Sequence, residues 1–393
     1  VPNALFDATI QTGNNVGIFG TNSISVNNLT LEGDASLFLQ ATTSTNPELT
    51  VQGTVTFGTG DFNFRKQLAT TNWYLMSNPF GGDIGDFQLA VGTGNNRGIG
   101  SYNTATNDWT YKQVGVTFTT TAGVGFSVSK DAVNRFQELR GTTLNTSDVS
   151  VAVSNAGSGF NLLGNPFASS INSNAFLTAN TGSLVSQTIW VWNQATSNYE
   201  AKVTADAFVL APTQGFFVRA NASTNVTIAK GSQTVGGTFQ KTAGTKTEIR
   251  LNITDGATNR FAKLYYFDTN VTKGFDNGYD GETFGGQPNE LEVFTHLIEG
   301  SEGKNYQIQS LPKSDYENMV IPVGIKAVAG KEITFTADAM NLPTELKVFL
   351  EDRLTNTFTE LTASNNYKVT LNENTDGIGR FYLHTKSSAL SVG

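Results

Sequence analysis

Cysteine is missing from this chain of 393 residues, and its absence excludes disulfide staples, Cys-ligated zinc and thiol catalysis together. Histidine is nearly missing: His296 and His384 are the only two. Both fall inside predicted strands, which argues against a His-based metal cluster or a Ser-His-Asp triad. Charge is scarce, at 15% of residues, and its balance is −8 with a pI of about 4.9. No Lys/Arg run interrupts that balance, so nucleic acid and anionic membrane are poor partners. No apolar run approaches the roughly 18 residues of a spanning helix, so no membrane span is expected. Val1-Pro2 opens the chain without the charged and apolar regions of a signal peptide, so a leader is expected to have been removed or to lie upstream. There is no Gly-x-Ser-x-Gly elbow and no Gly-rich loop entering a helix. No local pattern singles out a carboxylate pair for glycoside cleavage among 33 acids. An enzyme is therefore not the first expectation.

What is abundant suits strands and turns. Hydrophobic residues make up 38%, enough for packed cores, while Thr, Ser, Asn and Gly must cover much of the surface. Thr and Val favour pleated surfaces, and Gly and Asn supply positive φ in tight turns. An all-β chain of two to four domains follows. Residues 1–60 carry short apolar pulses between Gly/Asn turns, such as Val16-Gly17-Ile18, Leu29-Thr30-Leu31 and Leu37-Phe38-Leu39. Their alternation and close spacing fit rungs of a parallel β-solenoid, with a meander as the alternative. A solenoid does not begin cleanly on an uncapped rung. The expectation is that the chain starts within a longer protein, or that another element covers Val1 to Phe6.

Two stretches then read as copies. Trp73-Tyr74-Leu75-Met76-Ser77-Asn78-Pro79-Phe80 returns 87 residues later as Phe160-Asn161-Leu162-Leu163-Gly164-Asn165-Pro166-Phe167. Tyr102 to Trp109 and Gly123 to Phe126 return 90 residues later, around Trp192 to Tyr199 and Thr213 to Phe216. Residues 61–150 and 151–242 are thus read as one β-module present twice. In each, the strand should stop at Asn-Pro, because proline lacks a ladder donor and restricts the residue before it. Short helices are expected over Ile171 to Leu177 and Lys130 to Leu139. Residues 243–388 hold nine strand candidates between turn signals, which suggests a two-sheet sandwich of jelly-roll type. Residues 389–393 read as a linker.

Several of these stretches together resemble a recurrent architecture of Bacteroidetes proteins exported by the type IX secretion system. They are Leu-Thr-Leu-Glu-Gly-Asp-Ala-Ser-Leu (29–37), Leu-Thr-Val-Gln-Gly (49–53), the two Asn-Pro-Phe stretches and Pro-Thr-Gln-Gly-Phe-Phe-Val (212–218). Gly274 to Asp280, Val348 to Asp352 and Arg380-Phe381 are similar to the β-sandwich that often precedes the sorting domain of such proteins. The resemblance covers nearly the whole chain and implies an extracellular or cell-surface location. It also implies delivery to the export machinery by a sorting domain, which does not appear in the sequence.

Two sets of residues carry candidate chemistry. Asp276, Asp280 and Glu282 lie in a Gly-permitted turn where carboxylates could converge on calcium; the alternative is a turn whose side chains cap their own backbone. Trp109, Trp192 and Tyr199, with Tyr102, Tyr111 and Trp190, could stack on sugar rings; the alternative is cross-strand pairing within each hairpin. Glu351-Asp352-Arg353 reads as a surface or turn ion pair. The function expected is that of a secreted or surface adhesin or structural protein with an elongated β-rich surface, whose partners are surface glycans or other copies of itself. The alternative is a non-catalytic C-terminal region of a secreted polysaccharide-active hydrolase or lyase.

Overall fold

A computed structural model describes residues 6–84, 88–194, 197–237 and 246–387. Among the described residues the chain is all-β apart from one α-helix, Ser173–Ala179, and short 3-10 turns. It divides into two compact units. The first comprises Val1–Val185, Ile189–Gln194 and Asp206–Lys241, the second Ser186–Thr188, Ala195–Ala205 and Thr242–Gly393. The segment expected as a linker, 389–393, lies outside the described residues.

The first unit opens with eight strands: β1 (Ala8–Ile10), β2 (Asn15–Phe19), β3 (Ser23–Val26), β4 (Leu29–Leu31), β5 (Ser36–Ala41), β6 (Glu48–Val51), β7 (Val55–Phe57) and β8 (Phe62–Leu68). They pair in parallel as three ladders, β1-β4-β7, β2-β5-β8 and β3-β6. Parallel pairing without an intervening helix is possible here because each crossover is itself made of the strands of the other ladders. The register places like on like. Ile10 meets Leu31 and then Phe57, Ile18 meets Leu39 and then Phe64, and Val26 meets Val51. Side chains alternate across β5 and β8, so every second residue enters one core. Fully burying one large apolar side chain is worth roughly 1.5–3 kcal/mol.

The far edge of β8 is taken by an antiparallel strand, Arg135–Gly141, which replaces the helix expected over Lys130 to Leu139. Gln137 and Leu139 face inward while Phe136 faces the Arg65 guanidinium at 5.2 Å. The polar residue inside and the aromatic outside conceal the period-two pattern. The other expected helix is present, shifted to Ser173–Ala179 and capped by the Asn172 side chain on the N–H of Asn174.

The two Asn-Pro-Phe stretches lie side by side in this unit. Tyr74–Ser77 pairs with Gly125–Val128, and Phe160–Gly164 pairs with Gly215–Arg219. Ser77 N donates to Thr213 O at 2.9 Å, and Gly164 N donates to Gly123 O at 2.9 Å. Met76 bridges Gln214, and Leu163 bridges Val124. These contacts join residues at matching offsets. After each strand the Asn side chain accepts from the Phe two residues on, Asn78 from Phe80 at 3.1 Å and Asn165 from Phe167 at 3.0 Å. A Cβ on Gly164 would sit 2.1 Å from the Ser77 Cβ, so close approach of the two stretches requires glycine there.

The second unit is one curled sheet. In spatial order it runs Thr357–Leu361, Lys347–Asp352, Thr375–Lys386, Ile321–Ala327, Glu292–Thr295, Tyr306–Pro312, Asn259–Phe267, Thr247–Thr254, Glu332–Met340 and Tyr367–Thr370. Gly281–Glu282 attaches to Tyr306–Pro312. The sheet is near-closed and jelly-roll-like: Ala337 N reaches Thr362 O at 3.4 Å across the seam. Leu264, Ile321, Phe335, Phe381 and Leu383 fill its interior. Nine strands expected from the sequence are present, and Thr357–Leu361 and Gly281–Glu282 add to them.

Candidate functional site

The acidic turn lies in the second unit. Gly278 takes φ +86 in it, which a side chain would strain. The Asp276 carboxylate accepts from Thr272 N at 2.6 Å and from Thr272 Oγ1 at 3.2 Å. Asp280, fully buried, accepts from Asp276 N and Ser310 N, each at 2.7 Å. Burial pushes the Asp280 carboxyl up to about 7, against the pull of those two N–H donors. Glu282 instead faces the Lys304 ammonium at 3.6 Å. The turn thus does the capping work weighed in the sequence. Among the described residues no three His, Asp or Glu side chains form a group able to hold a metal ion. Of the three, Asp276 and Asp280 are joined through the Asp276 N–H, while Glu282 is directed at Lys304.

The aromatic candidates divide between the units. Trp109 and Trp192 belong to the first, on Asp108–Gln113 and Thr188–Asn193, and both are half-buried. Tyr199 belongs to the second, where its ring lies 3.9 Å from Phe284 and its carbonyl accepts from Gln307 Nε2 at 3.2 Å. Trp109 faces its cross-strand partner Tyr102 at 5.4 Å, and Tyr102 in turn meets Phe217 at 4.8 Å. Trp190 is fully buried against Phe160 and is a core residue. Trp73 was not singled out by the sequence reading. It is 38% exposed and lies 5.4 Å from Tyr111, giving the first unit a solvent-facing aromatic pair.

A third group was missed altogether. Phe62, Phe64 and Leu68 project into the core from β8, and Lys66 holds the fourth place in that alternation with 2% exposure. Its Nζ donates to Thr42 O and to Asn46 Oδ1, both at 2.8 Å. Asn46 Nδ2 donates to Gly237 O at 3.1 Å. Glu48, also 2% exposed, accepts through Oε1 from Ser170 Oγ at 2.7 Å and Gly236 N at 2.9 Å. Its Oε2 is buried without a hydrogen-bond partner among the described residues. Burial lowers the Lys66 ammonium to about 7. Burial likewise raises the Glu48 carboxyl, with Ser170 and Gly236 pulling the other way. The signal was legible in principle, as a lysine on the apolar face of an alternating strand.

Residues 195–384 match a family model described as a domain of unknown function (DUF8693). No curated protein and no solved structure matches the chain.

Proposed function

We propose that the chain is a secreted or cell-surface structural protein that works by β-edge assembly and surface contact, not by turning over a substrate. In this reading β1 to β8 are solenoid rungs, the two Asn-Pro-Phe stretches are one module present twice about a local pseudo-dyad, and export follows the type IX route. Composition supports the location: a cysteine-free, Thr/Asn-rich, acidic β protein fits an exposed environment. The observation that carries the assembly is the first rung. Among the described residues β1, β2 and β3 each stand at the end of a ladder, and from Ala8 through Leu31 no residue is charged. Folded proteins ordinarily protect such edges with charge, proline or a covering element. Val16 and Phe19 on β2 are 40% and 48% exposed beside that edge. Sedimentation velocity on the chain with Val16→Lys and Phe19→Lys tests the reading. Self-association in the parent that is lost in the double variant supports it, and a parent that stays monomeric at high micromolar concentration overturns it.

A second contact is favoured by Trp73 and Tyr111, which offer a glycan the aromatic surface that Trp109 and Tyr199 direct at intramolecular partners. Glycan-array binding lost in Trp73→Ala supports that contact, and unchanged binding removes it.

A further inference from the structure

We propose that Lys66 and Asn46 react with one another to form an intramolecular isopeptide bond, with Glu48 as the proton carrier. A lysine inside a core strand is costly unless it does something there. Lys66 is set among Phe62, Phe64 and Leu68, and the acceptors it meets at 2.8 Å, the Thr42 carbonyl and the Asn46 amide, are neutral. Its nitrogen therefore already lies within hydrogen-bond reach of the amide it would attack. A nucleophilic amine needs an unprotonated nitrogen, and burial supplies it: with the ammonium lowered to about 7, a large fraction of Lys66 is free amine at neutral pH.

Asn46 is presented by its neighbour. Pro47 biases the residue before it to extended backbone, and in an extended segment residues two apart project to one side. Asn46 is held by the Gly237 carbonyl and Glu48 by the Gly236 N–H, successive residues of one segment. Burial raises the Glu48 carboxyl toward its neutral form, which lets it give and take a proton through the buried Oε2. Pro47 also blocks the usual competitor. Cyclisation of an asparagine to a succinimide needs the next backbone N–H, which proline lacks.

The step balances without a co-reactant. The lone pair of Lys66 Nζ forms a bond to Asn46 Cγ, the Cγ–Nδ2 bond breaks, and the amide nitrogen leaves with one amine proton as ammonia. Glu48 passes that proton across and ends unchanged. No electron is gained or lost overall. The product ties β8 to the segment entering β6.

Intact mass spectrometry of the purified chain, followed by tryptic mapping, tests this. The expected result is a mass lower than the sequence mass by one ammonia, and a branched peptide joining Lys66 to Asn46. Both disappear in Lys66→Arg and in Asn46→Ala, and Glu48→Gln yields folded, unlinked protein by far-ultraviolet circular dichroism. A folded parent chain at its full sequence mass overturns the proposal whatever the variants do. So does an ammonia loss that persists in Lys66→Arg.

Discussion

Asp352 in the second unit and Lys66 in the first are almost equally buried, at 1% and 2% exposure, yet they are satisfied in different ways. Asp352 meets the Arg380 guanidinium through Nε at 2.9 Å and Nη2 at 2.7 Å, and accepts from the Tyr367 hydroxyl at 2.7 Å. Charge, geometry and remaining lone pair are all answered, as a buried ion pair requires. Lys66 is answered at 2.8 Å by two neutral acceptors, and its proton is the quantity that gives way. A complete network stabilises a fold without changing; a buried cation held by neutral acceptors such as Thr42 O and Asn46 Oδ1 gives up its proton more readily.

The largest expected effect breaks the complete network. Asp352→Ala leaves Arg380 facing an empty site and should cost about 3–5 kcal/mol, read as a lower urea midpoint. A loss below about 1 kcal/mol would mean that solvent satisfies Arg380 instead. In the first unit the comparable lever is steric: Gly164→Ala drives a methyl into Ser77 and should cost about 1–3 kcal/mol. An unchanged midpoint would show that the two Asn-Pro-Phe stretches part easily.

Proton linkage sharpens the contrast. In the second unit burial raises Asp280 and Glu292 to about 7, so between about pH 4 and 7 the folded state holds protons that the unfolded state has released. Its stability falls as pH rises through that window. In the first unit burial lowers Lys130 to about 8, so above that pH the unfolded state holds the extra proton, and stability rises from about pH 8 to 10. Trp73, Trp109, Trp190 and Trp192 all belong to the first unit, so tryptophan fluorescence reads it selectively. The stability of the second unit, read by amide exchange in Thr247–Thr254, is predicted to fall between about pH 4 and 7, and that of the first, read by fluorescence, to rise between about pH 8 and 10; a first unit whose stability does not rise in that window would remove the distinction.

The smallest expected effect concerns the acidic turn. Because Asp276 and Asp280 are taken up by backbone N–H groups, chelator should leave the melting temperature unchanged. A chelator-dependent drop that is abolished in Asp276→Ala would restore calcium there.

Much of the architecture was legible because burial follows the pleat. Leu346 to Glu351 and Tyr367 to Leu371 announce strands observed at Lys347–Asp352 and Tyr367–Thr370. Thr357–Leu361 escaped notice because only Leu361 is fully buried among its Thr and Glu neighbours, so no apolar alternation marks it. The acidic turn was legible as a turn that caps its own backbone, but its tie to a distant strand was not. One of the two donors that hold Asp280 is Ser310 N, on a strand 30 residues away. Lys66 was legible only as a lysine on the apolar face of a strand, since the Thr42 and Asn46 acceptors that receive it meet it only in three dimensions.

Hydrogen–deuterium exchange of the first rung at two protein concentrations tests the proposed edge assembly most directly. Amides of Ala8–Ile10, Asn15–Phe19 and Ser23–Val26 should exchange more slowly at high concentration, while those of Thr247–Thr254 do not change. Identical exchange of the first rung at both concentrations would contradict it.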